Sequence, residues 1–235
     1  MTQQPIIAID GTAASGKGTL CRKIGSALDY AVLDTGKLYR YVGMGVRQYN
    51  IDETDDAAIT KLSAELMEGL RPQDLSDPVL TTDEAGHMAS VVGKIKAVRD
   101  NLFDFQQQFA QSPPPKSNGS AYKGAILDGR DIGTVIAPEA DAKLYITAKT
   151  EIRAQRRTKE LQSKGISVTY NAVLADMLER DKRDAERRDA PMKPADDALI
   201  LDTSDMDIDQ VFVKALSFIR EKIDVSHDLL YSKGN

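Results

Sequence analysis

Short apolar runs alternate along this chain with longer helical patterns. Ile6-Ile7-Ala8-Ile9 predicts a buried strand that ends at Asp10-Gly11. Ala31-Val32-Leu33 predicts a second, ending at Asp34, and Ala125-Ile126-Leu127 a third, ending at Asp128-Gly129. Residues 142–147 (Ala-Lys-Leu-Tyr-Ile-Thr) predict a fourth, and residues 198–201 (Ala-Leu-Ile-Leu) a fifth, ending at Asp202. Helical patterns fall at roughly 17–28, 37–50, 55–69, 83–110, 150–164, 170–187 and 208–223. Strands with so little polar interruption suit a parallel sheet covered on both faces. The alternation therefore predicts an α/β fold, a doubly wound five-stranded parallel sheet. Such sheets bind ligands at the carboxyl ends of their strands. Four of the five predicted strands end at an Asp, so that edge is expected to carry carboxylates.

Two stretches are too long for simple crossovers. Residues 36–112 hold three helical patterns and no convincing strand, which predicts a helical lobe beside the sheet. Residues 151–189 form a second, shorter excursion with the placement of a lid. The expected single domain, 1–235, thus has a core at 1–35, 121–150 and 190–225. Residues 112–120, Ser-Pro-Pro-Pro-Lys-Ser-Asn-Gly-Ser, read as a stiff-then-flexible surface connector.

Composition narrows the class. The 235 residues carry 31 Lys+Arg against 36 Asp+Glu, a formal net charge of −5. A nucleic-acid coat protein needs excess cations for phosphates, so no nucleic-acid partner is expected. Hydrophobic residues at 41% exclude a disordered chain. Cys21 is the single cysteine, which excludes an intrachain disulfide framework and a cysteine zinc site. Met1 to Ile9 lack the basic start of a signal peptide, and no run of about 18 apolar residues predicts a membrane span. A cytoplasmic protein, monomeric and free of membranes, is the expectation.

The first strand runs into Gly11-Thr12-Ala13-Ala14-Ser15-Gly16-Lys17-Gly18-Thr19. Two glycines about a four-residue gap, then Lys, form a loop whose backbone N–H groups cradle phosphate oxygens. The helix that follows adds its positive end. Lys17 would reach the β- and γ-phosphates. Gly18 stands where a hydroxyl residue usually follows, and Thr19 supplies that hydroxyl one step later. Asp128, at the end of the third strand, fits the acid that holds Mg²⁺, directly or through water. Hydrolysis and transfer both use such a loop, but the Asn-Lys-x-Asp reader of guanine is absent. Residues 151–189 carry ten Lys/Arg and eight acids, a local +2 against −7 elsewhere. Arg153, Arg156 and Arg157 lie on one helix, and Arg180, Arg183, Arg187 and Arg188 recur at helical spacing. Guanidiniums converging on a phosphate loop could neutralise a transferring phosphoryl.

With these residues in view, the chain resembles the nucleoside monophosphate kinases, most closely the cytidylate kinase family. Four blocks carry the resemblance: Ile9 through Thr19; Leu33-Asp34-Thr35-Gly36-Lys37-Leu38-Tyr39-Arg40; Asp128-Gly129-Arg130-Asp131-Ile132-Gly133-Thr134; and Glu179-Arg180-Asp181-Lys182-Arg183-Asp184-Ala185-Glu186-Arg187. The resemblance spans about residues 5–222. It implies that ATP and CMP or dCMP are the small-molecule partners, with Mg²⁺, and that the products are ADP and CDP or dCDP. It implies that Lys17, Asp128, Arg130 and Arg157 act on the transferring group, and that residues 11–19 with Arg153 and Arg157 bind ATP. Arg40, Arg130 and Arg187 would clamp the acceptor phosphate. Arg180 and Asp184 would hold the sugar, and Ser90, Arg99 and Asp131 would read cytosine. Thr35 and Tyr39 fall in the second block; Tyr39 either packs under the base or fills the helical lobe. Thr19 and Asp128 are the metal candidates.

The base reading has a chemical basis. Cytosine presents an N4 amino donor and N3/O2 acceptors, which a carboxylate and a guanidinium match. Uracil would set O4 against that carboxylate. The sequence departs from the family in three places. The span from Met67 to Asp83 is too short for the three-stranded insert that many members carry. Thr81-Thr82-Asp83-Glu84 lacks the Arg of the usual Arg-Thr-x-Glu. The 113–120 loop is longer than expected. Two further readings stand beside CMP transfer: a kinase broadened to UMP, and a nucleotide-binding module without turnover.

Overall fold

The computed structural model describes residues 4–232. Five strands form its sheet: β1 (Ile6–Gly11), β2 (Ala31–Asp34), β3 (Ala125–Asp128), β4 (Ala142–Thr147) and β5 (Leu199–Asp202). Their order across the sheet is β2-β3-β1-β4-β5. β1 pairs in parallel with β3 and β4, and β4 with β5. The chain divides into two compact units, one of residues 4–33 with 110–232 and one of residues 34–109.

In the first unit β1 is central, and all six of its residues are buried. This explains the uninterrupted apolar run: a strand covered on both faces has no solvent side on which to alternate. Helices α1 (Lys17–Leu28) and α8 (Ile208–Ser232) cover the sheet. Ile7, Ile9, Leu20, Ile24, Ile126, Leu144, Ile146, Ala215 and Ile219 form the core between them. α6 (Thr150–Ser163) and α7 (Tyr170–Ala185), the expected lid segment, belong to this same unit. They pack on each other through Ala154, Leu161, Val173 and Met177. Register fixes the functional edge. Ile9 lies opposite Asp128, and Gly11 opposite Ile146. Asp10 and Asp128 therefore emerge on neighbouring strands at one end of the sheet.

The second unit is helical: α2 (Gly36–Gln48), α3 (Asp56–Glu68), α4 (Asp83–Val92) and α5 (Lys96–Gln111), the last ending just beyond it. Leu38, Val42, Val46, Ile59, Met88, Val92, Val98 and Leu102 are fully buried. α2 and α4 meet at Gly43, where a Cβ would lie 2.6 Å from Met88 Cβ and 2.9 Å from its carbonyl carbon. A backbone atom cannot swing aside as a side-chain tip can. Gly43→Ala is therefore expected to lower the urea midpoint, at a cost of about 1–3 kcal/mol for the overpacked contact.

The helical pattern at 83–110 is interrupted. α4 ends at Val92, the backbone turns through Gly93, and Ile95 N–H donates to Val92 O before α5 begins. Gly93 fits because a Cβ there would lie 2.8 Å from the Ala89 carbonyl oxygen, while the Tyr39 ring lies alongside at an ordinary contact distance, Cδ1 3.6 Å away. Residues 67–83 hold two short 3₁₀ turns, Pro72–Ser76 and Pro78–Thr81, each with proline at its first position. The proline-rich connector closes on itself: Gly119 N–H donates to Lys116 O and Lys116 N–H to Ser120 O. Lys116 also pairs with Asp29 at 2.6 Å, at the left-handed residue that ends α1. Among the described residues no helix is long and apolar enough to cross a membrane.

Candidate phosphoryl-transfer site

The loop between β1 and α1 needs glycine at Gly11. Its φ is +142°, and a Cβ there would sit 1.9 Å from Ile146 O. Thr12 N–H donates to that same carbonyl at 3.1 Å, which ties the start of the loop to β4. Ala14 (φ +56°) and Gly16 (φ +88°) both adopt the left-handed region. Alternating backbone handedness of this kind turns successive N–H groups to one side, the geometry of an anion nest. Ser15 is buried, and its hydroxyl donates to Thr12 O at 2.9 Å. Thr12 Oγ1 is buried with no hydrogen-bond partner, as suits a hydroxyl in a cradle for a polar ligand.

Lys17 opens α1 and is only 8% exposed. Its ammonium contacts the Asp128 carboxylate, itself 4% exposed. Two charges removed from water hold each other, and each would be costly alone. Asp128 also overhangs the helix start, with Oδ2 3.5 Å from where a Gly18 Cβ would stand. Thr19 lies one residue further along, its hydroxyl accepting from Arg22 at 3.2 Å. A carboxylate and a hydroxyl are hard oxygen donors of the kind Mg²⁺ takes together with phosphate and water. The described residues contain no cluster of three or more acidic, His or Cys side chains that would make a metal cage.

Asp10 takes part in the site although the sequence reading gave it no role beyond ending a strand. It is 3% exposed, and its two oxygens accept from the N–H groups of Ile132 and Gly133, each at 2.8 Å. These residues begin a single π turn, Ile132–Ile136, directly after Asp131. Asp10 thus anchors the segment that carries Asp128, Arg130 and Asp131. Burial raises its pKa to about 6, against the lowering effect of the two N–H donors. An acid with a raised folded-state pKa favours folding while neutral, and that contribution fades as pH rises through about 6. The wild type is therefore expected to lose about 2 kcal/mol relative to Asp10→Asn between pH 4 and pH 7. Urea unfolding of both proteins across that range checks it, and a constant difference would contradict it.

Arg130 donates to Asp184 Oδ2 at 3.2 Å, and Arg187 Nε to Asp184 O at 3.5 Å. Arg187 Nη2 is buried without a hydrogen-bond partner. Arg130, Asp184 and Arg187 are thereby brought together; Arg180 lies on the same helix as Asp184, and Asp131 is buried beside Arg130 in sequence. Arg157 pairs with Glu160 at 2.9 Å on α6. Arg153 is 2% exposed and spends its guanidinium on protein groups, Ala13 O, Ala148 O, Thr150 Oγ1 and Asp181. Arg156 donates to Thr203 O at 2.6 Å, and the buried Thr203 hydroxyl donates to Ser15 O at 3.2 Å.

The other candidates belong to the helical unit. Thr35 is buried at the start of α2. Arg40 donates to Leu80 O at 2.8 Å and Thr82 O at 3.1 Å. Its guanidinium also lies 3.4 Å from where a Gly86 Cβ would stand. Ser90 donates back to Gly86 O at 3.3 Å on α4, so Arg40 and the Gly86–Ser90 turn share one face of this unit. Tyr39 packs at Gly93, and Arg99 lies half-buried on α5.

Comparison with known proteins agrees with this geometry. The family model described as cytidylate kinase matches residues 7–221. A cytidylate kinase of Paramagnetospirillum magneticum is 51% identical over 217 residues, covering 92% of this chain and 98% of that one. One of Rhodospirillum rubrum is 50% identical over 217 residues, with the same coverage. One of Bradyrhizobium diazoefficiens is 47% identical over 204 residues, covering 87% and 90%.

Proposed function

This chain belongs to the cytidylate kinase family, and on that premise we propose how its residues move the γ-phosphoryl of ATP to CMP or dCMP, giving ADP and CDP or dCDP. The observation that supports the assignment of roles is the buried Lys17–Asp128 pair at the mouth of a left-handed phosphate loop.

The acceptor is already a phosphate, so no side-chain nucleophile is required; its oxygen attacks in line, and the protein positions and neutralises. The N–H groups of residues 12–19 hold the ATP phosphates. Lys17 leaves Asp128 for the β- and γ-oxygens, exchanging one buried anion for another. That exchange suits Asp128 and Thr19 to hold Mg²⁺, directly or through water, and bound Mg²⁺ would offset charge on the phosphates. Arg130 and Arg187, gathered on Asp184, clamp the acceptor phosphate together with Arg40; the orphaned Arg187 Nη2 is a donor ready for it. Arg157 adds positive charge to the transferring group. Arg180 and Asp184 take the sugar, Ser90, Arg99 and Asp131 read the base, and Thr35 and Tyr39 complete the CMP set, Tyr39 either under the base or as filling of the helical unit. Exclusion of water as the substrates bind keeps the phosphoryl from hydrolysis. We place the enzyme in the cytoplasm as a monomer.

A coupled assay of ADP formation across CMP, dCMP, UMP and AMP tests the reading. ADP release that depends on CMP or dCMP supports it. Preference for AMP, or tight binding of ATP and CMP with no product, would overturn it.

A further inference from the structure

Arg153 stands out among the buried charges because it has no donor left to give. A guanidinium offers five N–H donors in a fixed fork. Here Nε donates to Ala148 O at 2.8 Å. Nη1 donates to Ala13 O at 3.2 Å and to Asp181 Oδ1 at 3.2 Å. Nη2 donates to Thr150 Oγ1 at 2.7 Å and to Asp181 Oδ2 at 2.5 Å. The side chain is 3% exposed. It therefore joins three parts of the first unit: the phosphate loop at Ala13, the β4–α6 junction at residues 148–150, and α7 at Asp181.

Ala13 immediately precedes Ala14, whose φ of +56° is unfavourable for a residue with a Cβ by an amount the surroundings must offset. The peptide between them carries the Ala13 carbonyl and the Ala14 N–H at opposite ends. Fixing the carbonyl on Arg153 thus fixes the direction of the N–H. The Ser15 carbonyl is held likewise by the Thr203 hydroxyl, and Arg156 braces Thr203 with bonds of 2.6 and 3.1 Å. Two arginines of α6 therefore serve the backbone of the loop, one directly and one through Thr203, by holding its carbonyls.

We propose that Arg153 is a positioning residue and not a ligand of ATP: locked by Asp181, it holds the Ala13 carbonyl so that the phosphate loop stays in its anion-binding form. This rests on reading the loop as the ATP site. Asp181 makes the idea testable by sign. It is an anion on α7 that, as the partner of Arg153, lies near the loop, and on charge alone its removal would tighten binding of a polyphosphate. Were Arg153 a phosphate ligand held back by Asp181, releasing it would tighten binding further. If Arg153 is a strut, releasing it lets the loop relax and weakens binding.

The experiment is calorimetric titration of MgADP into wild type, Asp181→Asn and Arg153→Lys, below the melting transition of each. The strut predicts that both variants bind MgADP about tenfold more weakly, the scale of one lost charge-assisted hydrogen bond. In steady state it predicts a KM for ATP raised by a similar factor with the KM for CMP within about twofold, a split that general destabilisation would not give. Equal or tighter MgADP binding by Asp181→Asn would overturn the strut. A wild type that binds no MgADP would overturn the ATP-site reading and the strut with it.

Discussion

Lys17→Ala is expected to reduce CMP-dependent ADP formation by about a thousandfold or more while circular dichroism stays that of a folded protein. The size follows from where the charge sits. Lys17 is 8% exposed at the helix start, with its ammonium against the Asp128 carboxylate. In so dry a site one cation aimed at the transferring oxygens is worth far more than in water. The same burial predicts a lower melting temperature, because Asp128 loses the cation beside it. Assays at 25 °C, below that transition, separate the two effects. Near-normal turnover would remove Lys17 from the reaction.

Asp131→Ala carries the second large effect. The wild type is expected to prefer CMP over UMP strongly, and the variant to lose about a hundredfold or more of that preference. Asp131 is 7% exposed, and its backbone, with φ −142°, leads into the π turn whose first two N–H groups Asp10 holds. A buried carboxylate accepts well from the N4 amino group of cytosine and is left facing O4 of uracil. The discrimination comes from that unpaired, desolvated contact and so vanishes with the side chain. Ratios of kcat/KM for the two nucleotides measure it. An unchanged ratio would take Asp131 out of the base reader.

Most of the sheet could be read from the chain because its signals are local. The six-residue fourth strand falls where the apolar run places it, and α1 begins at Lys17, directly after the glycine that closes the loop. The helix break at Gly93 could not be read the same way, because apolar periodicity continues on both sides of it. It is a backbone turn, in which Lys94 and Ile95 N–H donate to the carbonyls of Val91 and Val92. The π turn at Ile132–Ile136 was also hidden, since its cause is a carboxylate more than 120 residues away in sequence. Within the site, the loop, Lys17 and Asp128 were legible because strand ends and glycine spacing announce them. Asp10 looked like a turn residue, although an Asp enclosed between four apolar residues and a glycine on a central strand was the available signal. Arg153 and Asp181 sat in legible motifs, but only their hydrogen bonds separate a strut from a ligand.

The most direct test is to follow the phosphoryl itself. Incubating the protein with γ-³²P-ATP, Mg²⁺ and CMP should place the label in the β-phosphate of CDP, with little released as inorganic phosphate and none transferred when CMP is omitted. Label appearing as inorganic phosphate at the same rate with and without CMP would contradict the account.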